Sequence, residues 1–133
     1  MPSTVLDYMS HPAIFIDPDA SIGHAATLMR RRNIHSLVVA LEGSSLGIVT
    51  TTDIRDKIVA ADRDPQRTKV RDVMTTPVST ARPEWTLKEC SLKMRELGVH
   101  HLPVADPRGM IIGMISATDI FMAVEESGWG PPA

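Results

Sequence analysis

The chain has 133 residues, of which 43% are hydrophobic and 23% charged, and its formal net charge is −2. Such a chain can bury a core as one compact domain or as two small packed halves, and it is not a disordered tail. The slight acidic excess argues against nucleic acid as a partner. No apolar run approaches the roughly 20 residues of a membrane span, and residues 1–5 lack the features of a signal peptide. We therefore expect a soluble cytoplasmic protein with no membrane partner.

The first half of the chain predicts the order strand, helix, strand, strand, helix. After a Met-x-x-Pro turn, these elements are expected at residues 13–16, 22–32, 37–41, 46–49 and about 51–61. The first helix carries apolar residues at helical spacing on one face. Its last turn holds Arg30–Arg32, where cations complement the helix dipole, and Asn33 is placed to end it. Both central strands are mostly apolar, as is typical of strands covered on both faces.

The second half predicts the same order. Its elements are expected at residues 78–80, 87–97, 102–105, 111–115 and about 117–126. Thr86 and Glu89 form a plausible capping box for the first of these helices, and Gly98 supplies a left-handed stop. Residues 62–69 read as a polar linker between the halves.

The two halves also align residue by residue. Asp7–Pro12 matches Asp72–Pro77 at an offset of 65 (77 minus 12), while Gly47 matches Gly113 at an offset of 66. The additional residue fits the loop Ala105–Met110, where insertions cost little. We therefore expect a tandem duplication with a first repeat at 1–61, a linker at 62–69, a second repeat at 70–126 and a tail at 127–133.

One duplicated stretch carries the chemistry. Gly47–Ile54 and Gly113–Ile120 each read as a strand that runs into a helix, with a hydroxyl residue at the turn and an aspartate three positions later. A helix start attracts an anion, and an aspartate beside it can accept hydrogen bonds from two sugar hydroxyls. The same pattern is also a capping box, which only starts a helix. Its duplication within a longer repeat favours a ribose and phosphate site.

The whole duplicated pattern resembles a tandem pair of CBS domains, also called a Bateman module. The likeness rests on Asp-x-Met-x-x-Pro, a helix, His-x-Leu-(Pro/Val)-Val and Gly-x-x-(Ser/Thr)-x-x-Asp, over roughly residues 5–124. It implies an α/β (α+β) fold of two β-α-β-β-α repeats packed with pseudo-twofold symmetry. It further implies a regulatory module without catalytic residues, which binds AMP, ADP or ATP, or alternatively an NAD-type molecule or S-adenosylmethionine. No obligatory cofactor is implied; the expected partners are the nucleotide, a second copy in a homodimer, and a regulated enzyme or transporter.

The resemblance also implies which residues hold the ligand. Asp53 and Asp119 match the ribose-binding aspartates, and Thr50 and Ser116 match the hydroxyls that approach ribose or phosphate. Each cleft is expected to draw on both repeats. One cleft is expected to join Ser116 and Asp119 to Ile14, Ile34 and His35, and the other to join Thr50 and Asp53 to Ser79, Val99, His100 and His101. The apolar members are expected to sandwich the base.

The histidines before the second strand resemble a phosphate-facing position of the family, since an imidazole near a phosphate becomes a charge-assisted donor. Their alternative role is that of partly exposed strand residues. The first copy has Ser36 where the second has His101, so we expect unequal clefts, with the one containing His100 and His101 holding phosphate better. No metal site is expected, because adjacent strand residues point to opposite faces and no carboxylate or cysteine has a ligand spacing.

Two other functions compete with ligand sensing. An enzyme needs a nucleophile or an acid–base pair, but Asp53 and Asp119 already have capping and ribose roles. Cys90, the single cysteine, excludes an intrachain disulfide, fits a reducing compartment, and lies on the apolar face of a predicted helix, where a buried hydrophobe is expected. The other competitor is a ligand-free dimerisation scaffold, which thermal melts with adenosine compounds distinguish.

Overall fold

The computed structural model describes residues 2–76 and 78–129. Pro77 of the second Met-x-x-Pro motif and residues 130–133 of the predicted tail lie outside the described residues. Contacts divide the chain into two compact units. We call Ile14–Val78 the first-repeat unit, and Met1–Ala13 with Ser79–Ala133 the second-repeat unit.

The elements follow the predicted order closely. In chain order they are α1 (Val5–Tyr8), β1 (Phe15–Ile16), α2 (Ile22–Arg32), β2 (Ser36–Leu41), β3 (Ser44–Thr50), α3 (Thr51–Ile54), α4 (Leu87–Leu97), β4 (His101–Ala105), β5 (Ile111–Ser116) and α5 (Ala117–Ser127). Helix α3 continues as a π-helical turn, Arg55–Val59, and Val70–Asp72 form a 3-10 helix. Strand β1 pairs parallel with β2, whereas β2/β3 and β4/β5 are antiparallel. The extended segment of the second copy contributes one parallel bridge, from Ala81 to Val104, instead of a strand.

The helix boundaries are set by local signals. The side chain of Ser21 accepts a hydrogen bond from the His24 N–H at the start of α2, and Asn33 ends that helix at φ 53°. Thr86 and Glu89 form the predicted capping box of α4, and Gly98 ends it at φ 68°. These caps satisfy backbone groups that have no partner inside the helix. Both helices therefore have the predicted bounds.

Each unit has its own core, and the two cores are built from equivalent positions. In the first-repeat unit the core includes Ile22, Ala25, Met29, Leu37, Val39 and Val49. The second-repeat unit buries their counterparts, Leu87, Cys90, Met94, Leu102, Val104 and Ile115. Burying a large aliphatic side chain contributes about 1.5–3 kcal/mol, so these sets account for most of the packing energy of each unit. Cys90 is fully buried, as its position on the helix predicted.

In each unit the last strand of the hairpin also pairs with a distant segment. Thr75 exchanges backbone hydrogen bonds of 2.8 and 3.1 Å with Ile48, and Ser10 exchanges bonds of 2.8 and 2.9 Å with Met114. Residues 2–13 thus pack with the second copy, although they belong to the first repeat in the sequence. The compact units therefore divide the chain differently from the sequence repeats.

The duplicated glycines of the motif make this pairing possible. A Cβ at Gly47 would lie 2.8 Å from the carbonyl oxygen of Thr75, and one at Gly113 would lie 2.6 Å from that of Ser10. The sulfur atoms of Met74 and Met9 also approach these positions, at 3.0 and 2.9 Å. Only glycine fits so close a backbone approach.

The residues between the repeats are bound to the first-repeat unit. The Thr68 carbonyl accepts the Ile22 N–H, and the Ala20 carbonyl accepts the Val70 N–H, both at 2.9 Å. Asp19 pairs with Arg71 at 2.8 Å and with Lys69 at 3.7 Å. The hydrogen bond from Arg71 lowers the pKa of Asp19. The predicted linker is therefore a folded part of this unit.

We expect Gly47→Ala and Gly113→Ala each to lower the free energy of unfolding by about 1–3 kcal/mol, because the added methyl group forces the paired backbone apart. Urea denaturation measures the change. Ser45→Ala is the matched control: Ser45 is exposed on β3, and its substitution should change stability by less than about 0.5 kcal/mol. Unchanged unfolding midpoints for the glycine variants would show that the close approach does not constrain these positions.

Burial predicts a pH dependence for Cys90. Desolvation raises the pKa of its thiol to about 11, whereas a thiol in an unfolded chain titrates near about 8.5. Above pH 8.5 the unfolded state therefore loses its proton first, and stability falls as the pH rises towards 11. Between pH 8.5 and 10.5 the wild type should lose about 2 kcal/mol more than Cys90→Ala does. Parallel losses in the two proteins, measured by urea denaturation, would contradict this expectation.

Candidate functional site

The two duplicated aspartates close the starts of α3 and α5. Asp53 Oδ2 accepts the Thr50 N–H at 2.9 Å, and the Thr50 hydroxyl accepts the Asp53 N–H at 3.2 Å. The corresponding distances for Ser116 and Asp119 are 2.9 and 3.0 Å. The capping-box interpretation is therefore confirmed for both copies. Each aspartate uses Oδ2 for its cap, so any ligand role depends on the surroundings of Oδ1.

The second oxygen of Asp53 is already engaged. Its Oδ1 accepts a hydrogen bond from the Thr75 hydroxyl at 3.2 Å and forms an ion pair with Lys57 Nζ at 3.0 Å. The same ammonium group donates to the Val73 carbonyl at 2.7 Å. Asp53 is only 7% exposed. Its carboxylate is therefore saturated by groups of the first-repeat unit.

The second oxygen of Asp119 is not engaged in this way. Asp119 is half-buried, and within the described part of the chain its side chain bonds only to the backbone of Ser116. Ala123 stands at the position equivalent to Lys57 (57 plus 66), and Ser10 at that equivalent to Thr75 (75 minus 65). Alanine cannot donate to a carboxylate, and no described hydrogen bond joins Ser10 to Asp119. Within the described residues, Asp119 Oδ1 therefore has no hydrogen-bond donor.

Both histidines of the repeated pattern lie beside these helix starts. The His35 carbonyl accepts the Thr51 N–H at 3.0 Å, and the His100 carbonyl accepts the Ala117 N–H at 2.8 Å. Both residues are exposed. His101 is half-buried and lies opposite Ser116 in the β4/β5 ladder. In its own unit, each copy thus brings an imidazole-bearing residue, a hydroxyl and a carboxylate to one corner.

Each unit also contains a cavity beside its histidine. In the second-repeat unit a cavity of about 570 Å³ is lined by Val99, His100 and residues of α4 and α5. In the first-repeat unit one of about 340 Å³ is lined by Ile34, His35 and residues of α2 and α3. Neither lining includes Asp53 or Asp119. The cavities therefore hold the apolar and imidazole members of the predicted set, but not the carboxylates.

The remaining predicted residues can be placed by unit. Ile14 is half-buried in the first-repeat unit, where its carbonyl accepts the Val38 N–H at 2.9 Å. Ser79 is exposed in the second-repeat unit, two residues before the bridge of Ala81. The joining of residues from both repeats into shared clefts stays a prediction.

Two residues of the Asp53 environment escaped the sequence reasoning. Lys57 lies four residues after Asp53, which is the spacing of an ion pair on a helix, so this contact could have been predicted from the sequence. Thr75 gave no such signal, because its approach depends on a pairing between segments that are far apart in sequence.

No group of three or more His, Cys, Asp or Glu side chains is arranged to hold a metal ion within residues 2–76 and 78–129. None of the helices in those ranges is both long and apolar enough to cross a bilayer.

The model of the CBS domain family matches residues 5–60 and again residues 70–126. The chain belongs to the CBS domain family. The resemblance drawn from the duplicated motifs is thereby confirmed, as is the mixed α+β fold of two CBS repeats.

Relatives show how such pairs occur. The chain is 30% identical over 118 residues to the CBS domain-containing protein YhcV of Bacillus subtilis, a match that covers 89% of this chain and 83% of that protein. It is 39% identical over 101 residues to a homoserine O-acetyltransferase of Methanococcus vannielii. That match covers 75% of this chain but only 20% of the relative, so the CBS pair spans a small part of that longer protein.

A solved structure matches over almost the full length of both chains. It is the CBS domain pair of protein MJ0100 in complex with 5′-methylthioadenosine and S-adenosyl-L-methionine, with 27% identity and a TM-score of 0.85. The match covers 95% of this chain and 98% of that chain. The matched residues thus form a CBS pair, a module of the regulatory, ligand-binding kind.

The unequal surroundings of the two aspartates predict unequal stability effects. Asp53→Ala should lower the free energy of unfolding by about 2 kcal/mol more than Asp119→Ala, because it also removes the partners of Lys57 and Thr75. Lys57 has a side chain that is 43% exposed, so its share is small. Urea denaturation of both variants gives the comparison. Equal losses would mean that the extra contacts of Asp53 contribute nothing.

Proposed function

We propose that this CBS pair is a sensor for an adenosine-containing ligand, with AMP, ADP or ATP foremost and S-adenosylmethionine or an NAD-type molecule as the alternative. One observation carries the proposal: among the described residues no donor bonds to Oδ1 of Asp119, which lies at the start of α5. Further support comes from the similar MJ0100 pair, which was solved with two adenosine compounds.

The chemistry of this corner suits a ribose. A carboxylate is an acceptor-only group with about four lone-pair sites, and the cap uses one of them in Asp119. Two neighbouring sugar hydroxyls can donate to the rest, and hydrogen bonds to an ionised acceptor are strong. The half-buried Ile34 and Val99 offer apolar surface for the base, and the imidazoles of His35 and His100 offer donors for phosphate. As the family resemblance implies, the cleft is proposed to draw on both repeats.

Binding is proposed to regulate a partner. A ligand shifts a conformational equilibrium only by its difference in affinity between the states. Occupancy is therefore proposed to favour one conformation of a cytoplasmic homodimer, which then acts on an enzyme or a transporter.

The exposed apolar side chains of α4 and α5 favour a second candidate, a dimerisation scaffold. Leu92, Phe121 and Met122 are 54%, 64% and 58% exposed. Phe121 and Met122 are neighbours on α5, and exposed apolar surface is typical of interaction sites where it is contiguous. This surface fits the proposed homodimer whether or not a ligand binds.

Thermal melts separate the two candidates. AMP, ATP or S-adenosylmethionine at 100 times its dissociation constant should stabilise the wild type by about 2.7 kcal/mol. Asp119→Asn should abolish the shift, because the amide replaces an acceptor with a donor and removes the charge. A matched compound control is 2′-deoxy-AMP, whose missing hydroxyl should weaken binding about tenfold or more. If no compound moved the melting temperature of the wild type, the scaffold would be the better account.

A further inference from the structure

We infer that the chain binds one adenosine ligand, through Asp119, and that Lys57 and Thr75 keep Asp53 closed to ribose. This inference rests on the proposed function and deepens it by naming the competent copy and the residues that inactivate the other. It follows from the different surroundings of two aspartates that start their helices identically.

The closed state of Asp53 is built from contacts to both of its carboxylate oxygens. Oδ2 accepts the Thr50 N–H at 2.9 Å, while Oδ1 is held by the Lys57 ammonium group at 3.0 Å and the Thr75 hydroxyl at 3.2 Å. Lys57 is itself fixed by its bond of 2.7 Å to the Val73 carbonyl. The ammonium group thus bridges α3 and the segment that follows the linker, and it neutralises the charge that a ribose would use.

A ribose can reach Asp53 only by displacing these donors. Its hydroxyls are neutral, so two neutral-donor bonds would replace one ion pair and one hydroxyl bond that already exist within the fold. Replacing these donors by ribose hydroxyls leaves the number of hydrogen bonds to Asp53 unchanged, and it separates the Lys57 ammonium group from the Asp53 carboxylate. Burial of Asp53, which is 7% exposed, adds the cost of opening the site. We expect an affinity at least roughly tenfold lower than at Asp119.

Among residues 2–76 and 78–129, no donor competes for Asp119 in this way. At the position equivalent to Lys57, Ala123 is buried and carries no donor, and the equivalent of Thr75 is Ser10, which gives Asp119 no hydrogen bond in the described residues. A ribose at Asp119 therefore displaces only water from Oδ1 and no donor of the described residues. The second copy thus has the carboxylate but not the closing groups.

This assignment is opposite to the one expected from the histidines alone. His100 and His101 favour phosphate binding in the cleft assigned to Asp53, whereas the carboxylates favour ribose binding at Asp119. We infer that ribose recognition determines which copy binds the ligand, because both ribose hydroxyls must donate to a carboxylate that has a free oxygen.

The test is isothermal titration of the full chain with AMP and with S-adenosylmethionine. We expect one site per chain in the wild type, none in Asp119→Asn, and a second site in Lys57→Ala. The second site should vanish again in Lys57→Ala/Asp53→Asn. Lys93→Ala is the matched control, since Lys93 pairs with Glu96 at 3.5 Å and has a similarly exposed side chain (41% against 43%). This variant should keep one site.

Other results would overturn the inference. Two sites in the wild type would show that Asp53 is open, and loss of binding in Lys57→Ala would show that Lys57 contacts the ligand. One wild-type site that survives Asp119→Asn but not Asp53→Asn would reverse the assignment.

A ligand-free measurement keeps this inference distinct from the proposed function. In a double-mutant cycle, Lys57→Ala and Asp53→Asn should change the unfolding equilibrium constant non-additively, by roughly threefold or more. Additive effects would show that Lys57 does not hold Asp53, whatever the titrations give. A clear coupling with no binding to any variant would mean instead that the adenosine proposal fails, while the contact itself is real.

Discussion

The hydrogen bond from a backbone N–H to an aspartate, across the corner between a strand and a helix, is the interaction on which both copies depend. Thr50 and Ser116 end their strands, and Asp53 and Asp119 turn back to accept their N–H groups. A helix begins with N–H groups that have no partner in the helix, so each corner needs such an acceptor. The corner then fixes where the helix leaves the hairpin. A carboxylate has two oxygens, however, and the cap needs only one of them.

The two copies have matching cores, but they differ in the groups around Oδ1 of the aspartate. The core positions match pairwise, as Met29 matches Met94 and Leu37 matches Leu102, because a packed interior tolerates few changes of volume. The surroundings of Oδ1 are not constrained by packing in the same way. Lys57 in one copy and Ala123 in the other both fit a helix, but only lysine can neutralise the aspartate.

Much of the fold was predictable because its signals are local. The bounds of α2 and α4 follow from caps and helical spacing, and the capping boxes that start α3 and α5 could be read directly. The extended segment at 78–80 was harder, because its single bridge at Ala81 depends on the strand it meets. The pairing of Ser10 and Thr75 with the hairpins could not be predicted. The two Met-x-x-Pro segments that contain these residues are similar in sequence, and nothing in either segment indicates which strand it pairs with. For the same reason the sequence marked Asp53 and Asp119 as equivalent sites.

The glycine of the motif connects these observations. Gly47 lets the segment around Thr75 approach β3, and this approach brings the Thr75 hydroxyl to Asp53. Gly113 gives Ser10 the same access to β5, but within the described residues no donor from that segment bonds to Asp119. The closing of one site is thus a by-product of strand pairing that both copies need for stability. A hydroxyl residue followed three positions later by an aspartate therefore marks a corner where a ribose site can form. In our inference, the donors that packing brings to Oδ1 of that aspartate determine whether a ribose can bind there.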